Sequence, residues 1–218
     1  MTTYEFGDPT ANIVLIQPVD DHELGFMENE IQYIKDHSPV TFKMIATKVD
    51  NWNHDLSPWN APAVFGKEDF GGGSEKTLEE VTRLCTDRGI TYILGGYSLA
   101  GLFALWAAYR TDIFSGIAAA SPSVWFPGFS EYMRDHGIHT DSVYLSLGDT
   151  EHKTKNPVMS AVADKMNEAF GLLKDQGIHC TLEKNPGNHF REPEIRTAKA
   201  FARILNDMTE CKQYLQLK

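Results

Sequence analysis

The stretch Thr91-Tyr92-Ile93-Leu94-Gly95-Gly96-Tyr97-Ser98-Leu99-Ala100-Gly101-Leu102-Phe103-Ala104 decides the fold. An apolar run enters it, one hydroxyl stands at the apex, and an apolar helical run leaves it. That pattern reads as strand, sharp turn and helix. Gly96 lies two residues before Ser98 and Ala100 two after, and a crowded, strained turn needs such small flanks. A turn of this kind lifts the Ser98 oxygen clear of the sheet and leaves the Leu99 N–H free to hold an oxyanion. The usual pattern carries glycine where Ala100 stands; alanine is small, and Gly101 follows at once. A glycine-rich turn before a helix can also bind phosphate or merely turn. Ser98 as a nucleophile therefore requires a base and an acid elsewhere in the chain.

Outward from this turn, apolar strands alternate with helical stretches. Strands are expected at 12–19, 40–49, 91–97, 114–120, 142–147 and 178–184. Helices are expected over 24–35, after Thr77 (a capping box with Glu80), after Ser98, over 130–136, from Asn156 and Pro157, and from Pro193. This alternation implies an α/β fold with a mostly parallel six-stranded sheet in the order 2-1-3-4-5-6 and helices on both faces. With 218 residues, the chain reads as a single domain over 1–218. In parallel sheets, sites gather outside the carboxyl ends of the strands, and Asp20, Trp52, Ser98, Trp125, Glu151 and His189 all fall at strand exits.

The base is sought among histidines that follow an acid after Ser98. His179 opens a strand at the wrong end of the sheet, and His152 adjoins the acid in a solvated loop. His189 follows the last strand through a turn built by Pro186 and Gly187, where a base for Ser98 belongs. Asp149 and Glu151 both lie in the turn after the fifth strand; Glu151 is favoured because it has come around the turn toward the histidine. A second oxyanion N–H would come from Val19 or Asp20, in the loop beside the serine strand. The long segment 50–73 is rich in aromatics, so it is expected to pack and help line a pocket. Trp52, Trp125 and Phe126 are candidate walls for an apolar acyl or aryl group, against the plainer reading that they are core. His54 reads as a hydrogen-bonded loop histidine, and Asp20-Asp21-His22-Glu23 as a solvated loop rather than a metal site.

The net charge of −10 argues against nucleic acid and anionic membrane as partners. No apolar run is long enough to span a bilayer, and the start of the chain lacks a signal pattern, so a cytoplasmic location is expected. Cys85, Cys180 and Cys211 are scattered without metal-ligand spacing and read as buried free thiols. A homodimer stays open.

The Gly96-Tyr97-Ser98-Leu99-Ala100-Gly101 turn, Ser121-Pro122-Ser123-Val124-Trp125-Phe126, Gly148-Asp149-Thr150-Glu151 and Asn185-Pro186-Gly187-Asn188-His189 together resemble the α/β-hydrolase putative esterase family, which contains esterase D and enterochelin esterase-like proteins. The resemblance spans nearly the whole chain. It implies a three-layer α/β-hydrolase fold and cleavage of a small-molecule carboxylic ester through an acyl-enzyme on Ser98, with His189 as general base, Glu151 as its acid, and no metal or cofactor. Hydrolysis of a thioester, a siderophore lactone or a peptide is the rival reading, and a non-catalytic binding protein on the same fold another. Two departures stand out. Gln17-Pro18-Val19-Asp20 replaces the family's His-Gly pair after the first strand, and the antiparallel hairpin that often begins these sheets is expected to be missing. The short insertion between the fourth and fifth strands implies little or no lid.

Overall fold

A computed structural model of the protein describes the backbone of residues 1–216 and side chains as far as Thr209. The strands are β1 (Thr2–Gly7), β2 (Ile13–Val19), β3 (Lys43–Lys48), β4 (Asn60–Ala61), β5 (Phe70–Gly71), β6 (Thr91–Tyr97), β7 (Phe114–Ala120), β8 (Ser142–Gly148) and β9 (His179–Asn185). The helices are α1 (Asp21–Leu24), α2 (Met27–His37), α3 (Trp52–Asp55), α4 (Ser74–Thr82), α5 (Leu99–Ala107), α6 (Phe129–Asp135), α7 (Pro157–Ser160), α8 (Val162–Asp175) and α9 (Pro193–Gln216). The main sheet has seven strands in the order β1-β3-β2-β6-β7-β8-β9, and β4 and β5 form a small separate hairpin.

From β3 to β9 the sheet is parallel and follows the expected order. The expectation of six strands without an antiparallel piece is corrected by β1, which pairs antiparallel with β3 from Thr2↔Lys48 to Gly7↔Lys43. Its residues are exposed except for half-buried Phe6, so the apolar signal that marks the other strands is missing from this edge.

The central strands are apolar at nearly every position because both faces are covered. Ile16, Ile45, Leu94, Ala119 and Leu145 pack toward α4, α5, α6 and α8. Their neighbours Leu15, Met44, Ile93, Ala118 and Tyr144 pack toward α2 and α9. Helix α5 is buried along its whole length, as its lack of polar residues requires.

Several helix boundaries differ from expectation; the helix expected over 24–35 runs from Met27 to His37. Thr77 lies inside α4, which begins at Ser74, and its hydroxyl donates to the Asp55 carbonyl (2.7 Å) rather than capping. Asp20 and Glu23 form a capping box that starts α1, turning the expected solvated loop into a helical turn. Asn156 caps as expected, but Ala161 divides the helix that follows, leaving Val158 exposed. The thiols of Cys85 and Cys180 are unpaired, the first half-buried and the second buried, and burial pushes both up to about 12. The Cys211 side chain lies outside the described residues. Among the described residues, no helix is long and apolar enough to cross a membrane.

Helix α9 closes one face of the sheet beneath the serine strand. Phe201 is fully buried, and its ring tip comes within 2.6 Å of the place a Gly95 side chain would take. Phe201→Ala should therefore lower the unfolding free energy by about 3–5 kcal/mol, measured by urea denaturation.

Candidate active site

The turn after β6 has the strained geometry expected of it. Ser98 has φ 55° and ψ −116°, a conformation few non-glycine residues adopt. Strand β7 and the loop after it hold it: Ser98 N–H donates to the Ala120 carbonyl (3.1 Å), and its own carbonyl accepts from Ser123 N–H (3.1 Å). A side chain at Gly96 would lie 2.6 Å from the Ala100 Cβ. With alanine at position 100, glycine at 96 is thus a steric requirement of the turn.

Three side chains from three strand exits meet at this apex. The Ser98 Oγ lies 3.0 Å from His189 Nε2. His189 Nδ1 lies 2.9 Å from Glu151 Oε2. A carboxylate can only accept, so Nδ1 carries the proton and Nε2 is left to accept from the Ser98 hydroxyl. The second Glu151 oxygen, Oε1, accepts from Gly148 N–H (2.6 Å), Ser121 Oγ (2.8 Å) and Arg196 Nη1 (3.1 Å). Burial pushes the Glu151 carboxyl up, but the bonds from His189, Gly148 and Ser121 outweigh it and hold the group below its ordinary 4.5.

Asp149 does a different job. Its Oδ1 accepts from Gly187 N–H (2.8 Å), tying the β8 exit to the loop that carries His189. Gly148 is also required, because a side chain there would meet the Gly187 carbonyl and come within 2.9 Å of the Glu151 carboxylate. Tyr97, immediately before the serine, donates its hydroxyl to the His189 carbonyl (2.7 Å).

Leu99 is the first residue of α5, and its N–H is among those a helix cannot satisfy internally. The two other candidate N–H donors differ. Val19 is in register with Lys48, and its carbonyl accepts from Val49 N–H. In a parallel strand a residue's N–H and C=O point the same way, so the Val19 N–H faces β3, away from Ser98. Alternation continued one residue past the strand puts the amide of Asp20 on the β6 side. Pro18, which shares that side, has no N–H, and the β2–β6 pairing ends at Ile16↔Leu94. The Asp20 N–H is covered by the Glu23 carboxyl (Oε2 at 3.4 Å). Burial, with the Asp20 charge adding to it, pushes that carboxyl up to about 8.

The aromatic residues form one cluster. Phe70 packs on Trp125 and Phe126 (ring centroids 6.3 and 5.0 Å), and Trp59 packs edge-on against Phe126 (5.7 Å). Trp59 Nε1 donates to the Pro127 carbonyl (2.9 Å). The segment 50–73 is thus fastened to the loop after β7. Phe126 is only 2% exposed and Trp125 7%, so both rings are mostly packing; Trp52 is partly buried at the start of α3. His54, in α3, has its Nδ1 2.8 Å from Asp55 Oδ1.

Sequence reading did not single out Tyr97, Ser121 or Arg196 as functional. Arg196 did carry a signal: it stands four and eight residues before Ala200 and Ile204, both fully buried, and a cation on an apolar stripe calls for a buried partner.

The chain matches no protein-family model and no curated protein sequence. Its fold is shared with solved structures. An IroE-like serine hydrolase from Shewanella oneidensis superposes with a TM-score of 0.72 at 14% identity, over 94% of this chain and 75% of that one. The siderophore hydrolase EstA from Aspergillus nidulans gives 0.64 at 20% identity, over 92% of this chain and 85% of that one. The enterobactin esterase FES from Shigella flexneri, solved with enterobactin, gives 0.61 at 15% identity, over 94% of this chain and 55% of that one. The fold is therefore of the α/β-hydrolase type.

The lowered Glu151 carboxyl has a consequence for stability. A group held below its unfolded value contributes fully above about 4.5, and the contribution is lost as pH falls through the folded value. The stability difference between the wild-type protein and Glu151→Gln should be constant above about pH 5 and shrink below it, as followed by urea unfolding at a series of pH values.

Proposed function

We propose that the protein is a serine hydrolase that cleaves carboxylic esters of small molecules through an acyl-enzyme on Ser98. The observation that carries this reading is the unbroken hydrogen-bonded chain from Glu151 through His189 to Ser98. A serine hydroxyl is a weak nucleophile at neutral pH and needs a base in reach whose orientation is fixed. His189 Nε2 takes the Ser98 proton as the oxygen attacks the ester carbonyl. The oxyanion that forms is held by the N–H of Leu99 and, once the Glu23 carboxyl has moved aside, by that of Asp20. His189 then protonates the departing alcohol, and a water molecule repeats the cycle to release the acid. Glu151 stays ionised throughout and stabilises the imidazolium. None of these steps calls on a metal or a cofactor.

The site is read as open, with little or no lid. The connection between β7 and β8 contributes only α6, seven residues long. Trp52, Trp125 and Phe126 are the candidate walls for the acyl or aryl group, Phe126 as a buried ring packed against Phe70 and Trp59. The neighbours named as siderophore hydrolases and an enterobactin esterase favour a second reading at the same serine, cleavage of a siderophore ester or lactone. A panel of nitrophenyl esters set against thioesters, amides and siderophore lactones separates the two.

Ser98→Ala should abolish turnover and fluorophosphonate labelling while leaving the circular dichroism spectrum unchanged; retained hydrolysis in a clean preparation would overturn the scheme. Glu151→Gln should lower kcat by about 10³-fold or more. Asp149→Asn keeps an acceptor for Gly187 N–H and should change kcat/KM little. Steady-state kinetics on one activated ester distinguishes the two carboxylates, and the reverse ranking would assign the acid to Asp149.

A further inference from the structure

We propose that Arg196 is a positioning residue for His189, holding the imidazole from both its carboxylate side and its backbone side. The proposal rests on the hydrolase reading above and extends it to a residue that does not touch the reacting atoms. Arg196 lies near the start of α9 and is 2% exposed. Its Nη1 lies 3.1 Å from Glu151 Oε1, 3.2 Å from the Tyr97 hydroxyl and 3.5 Å from Ser121 Oγ. Its Nη2 donates to the Pro186 carbonyl (3.0 Å).

Each of these contacts leads to His189. Glu151 receives the imidazole Nδ1–H on its other oxygen. Tyr97 accepts from the guanidinium and donates its own O–H to the His189 carbonyl at 2.7 Å. Pro186 begins the turn on which the histidine is carried. One planar cation thus fixes the carboxylate, the main chain of the base and the root of its loop. A lysine cannot reproduce this, because its ammonium lacks the rigid fork of donors.

The same contact has an electrostatic effect. A carboxylate that shares its charge with a buried guanidinium stabilises the imidazolium less than a free one would. Removing Arg196 should therefore strengthen the hold of Glu151 on the imidazolium relative to the wild-type protein. The other ionisable groups around His189 and its loop are Glu151 and Asp149 from the β8 exit, Tyr97 from β6, and Arg191 and Glu192 on its own connection to α9, with Glu194 following in the first turn of that helix. Ser98 faces Nε2.

The test compares Arg196→Met, Arg196→Lys and Tyr97→Phe with the wild-type protein. Ester hydrolysis is measured from about pH 5 to 9, together with NMR titration of the His189 imidazole in labelled protein without substrate. Arg196→Met should lose about 100-fold in kcat with KM little changed, as a displaced base would cause. The acid limb of kcat/KM and the imidazole titration should both move up by about one pH unit. Arg196→Lys should recover the titration but not the full kcat, and Tyr97→Phe should lower kcat without moving the titration. If Arg196→Met does not fold, the lysine and phenylalanine variants carry the test. Folded Arg196 variants that lose only thermal stability, with kcat and the imidazole titration as in wild type, would overturn the proposal. If the wild-type protein neither hydrolyses esters nor reacts with a fluorophosphonate, the hydrolase reading fails by itself. The imidazole titration still decides whether Arg196 acts on His189.

Discussion

The carboxylate of Glu151 is the point on which the candidate site depends. One of its oxygens faces the imidazole, and the other is held by a backbone amide, a hydroxyl and a guanidinium. These donors come from the β8 exit, the β7 exit and α9. The group is nearly closed off from solvent, where an ionised carboxylate is costly unless well supplied with partners. Four partners on two oxygens meet that condition, and they leave the carboxylate little freedom to rotate. The orientation of His189 follows from that rigidity, and the reach to Ser98 follows from the orientation.

Parallel pairing makes this assembly attainable. Strands β6, β8 and β9 end at the same edge of the sheet, so residues far apart in the chain arrive together without a long detour. The strain at Ser98 is held in place by hydrogen bonds to Ala120 and Ser123 on either side of the β7 exit. The serine turn, the carboxylate turn and the histidine loop are thus cross-braced, and Asp149 and Tyr97 add one tie each between them.

Much of this was legible in the sequence, for identifiable physical reasons. A strand buried on both faces announces itself by continuous apolarity, so β2, β3, β6, β7 and β8 could be read directly. Gly96 and Gly101 around Ser98 marked a turn that tolerates only small residues. Edge strand β1 was hidden because an exposed strand needs no apolar pattern. Thr77 was misread because threonine followed by glutamate three later marks a helix start only when the preceding residues are not helical; here Ser74 had already begun the helix. For Val19 the side on which its amide points follows from the strand's register, which the sequence does not carry. Arg196 needed the tertiary structure, since its partners lie on three other segments. The shared fold at 14–20% identity says the same in another way: the architecture survives when few individual residues are kept.

The two described thiols bear on how this molecule meets electrophiles. A thiol attacks as its thiolate, and with both groups raised to about 12 almost none of either is ionised at neutral pH. Alkylating agents and peroxides, which ordinarily find cysteine first, meet poor targets at Cys85 and Cys180. Burial thus keeps both sulfurs in their protonated, unreactive form.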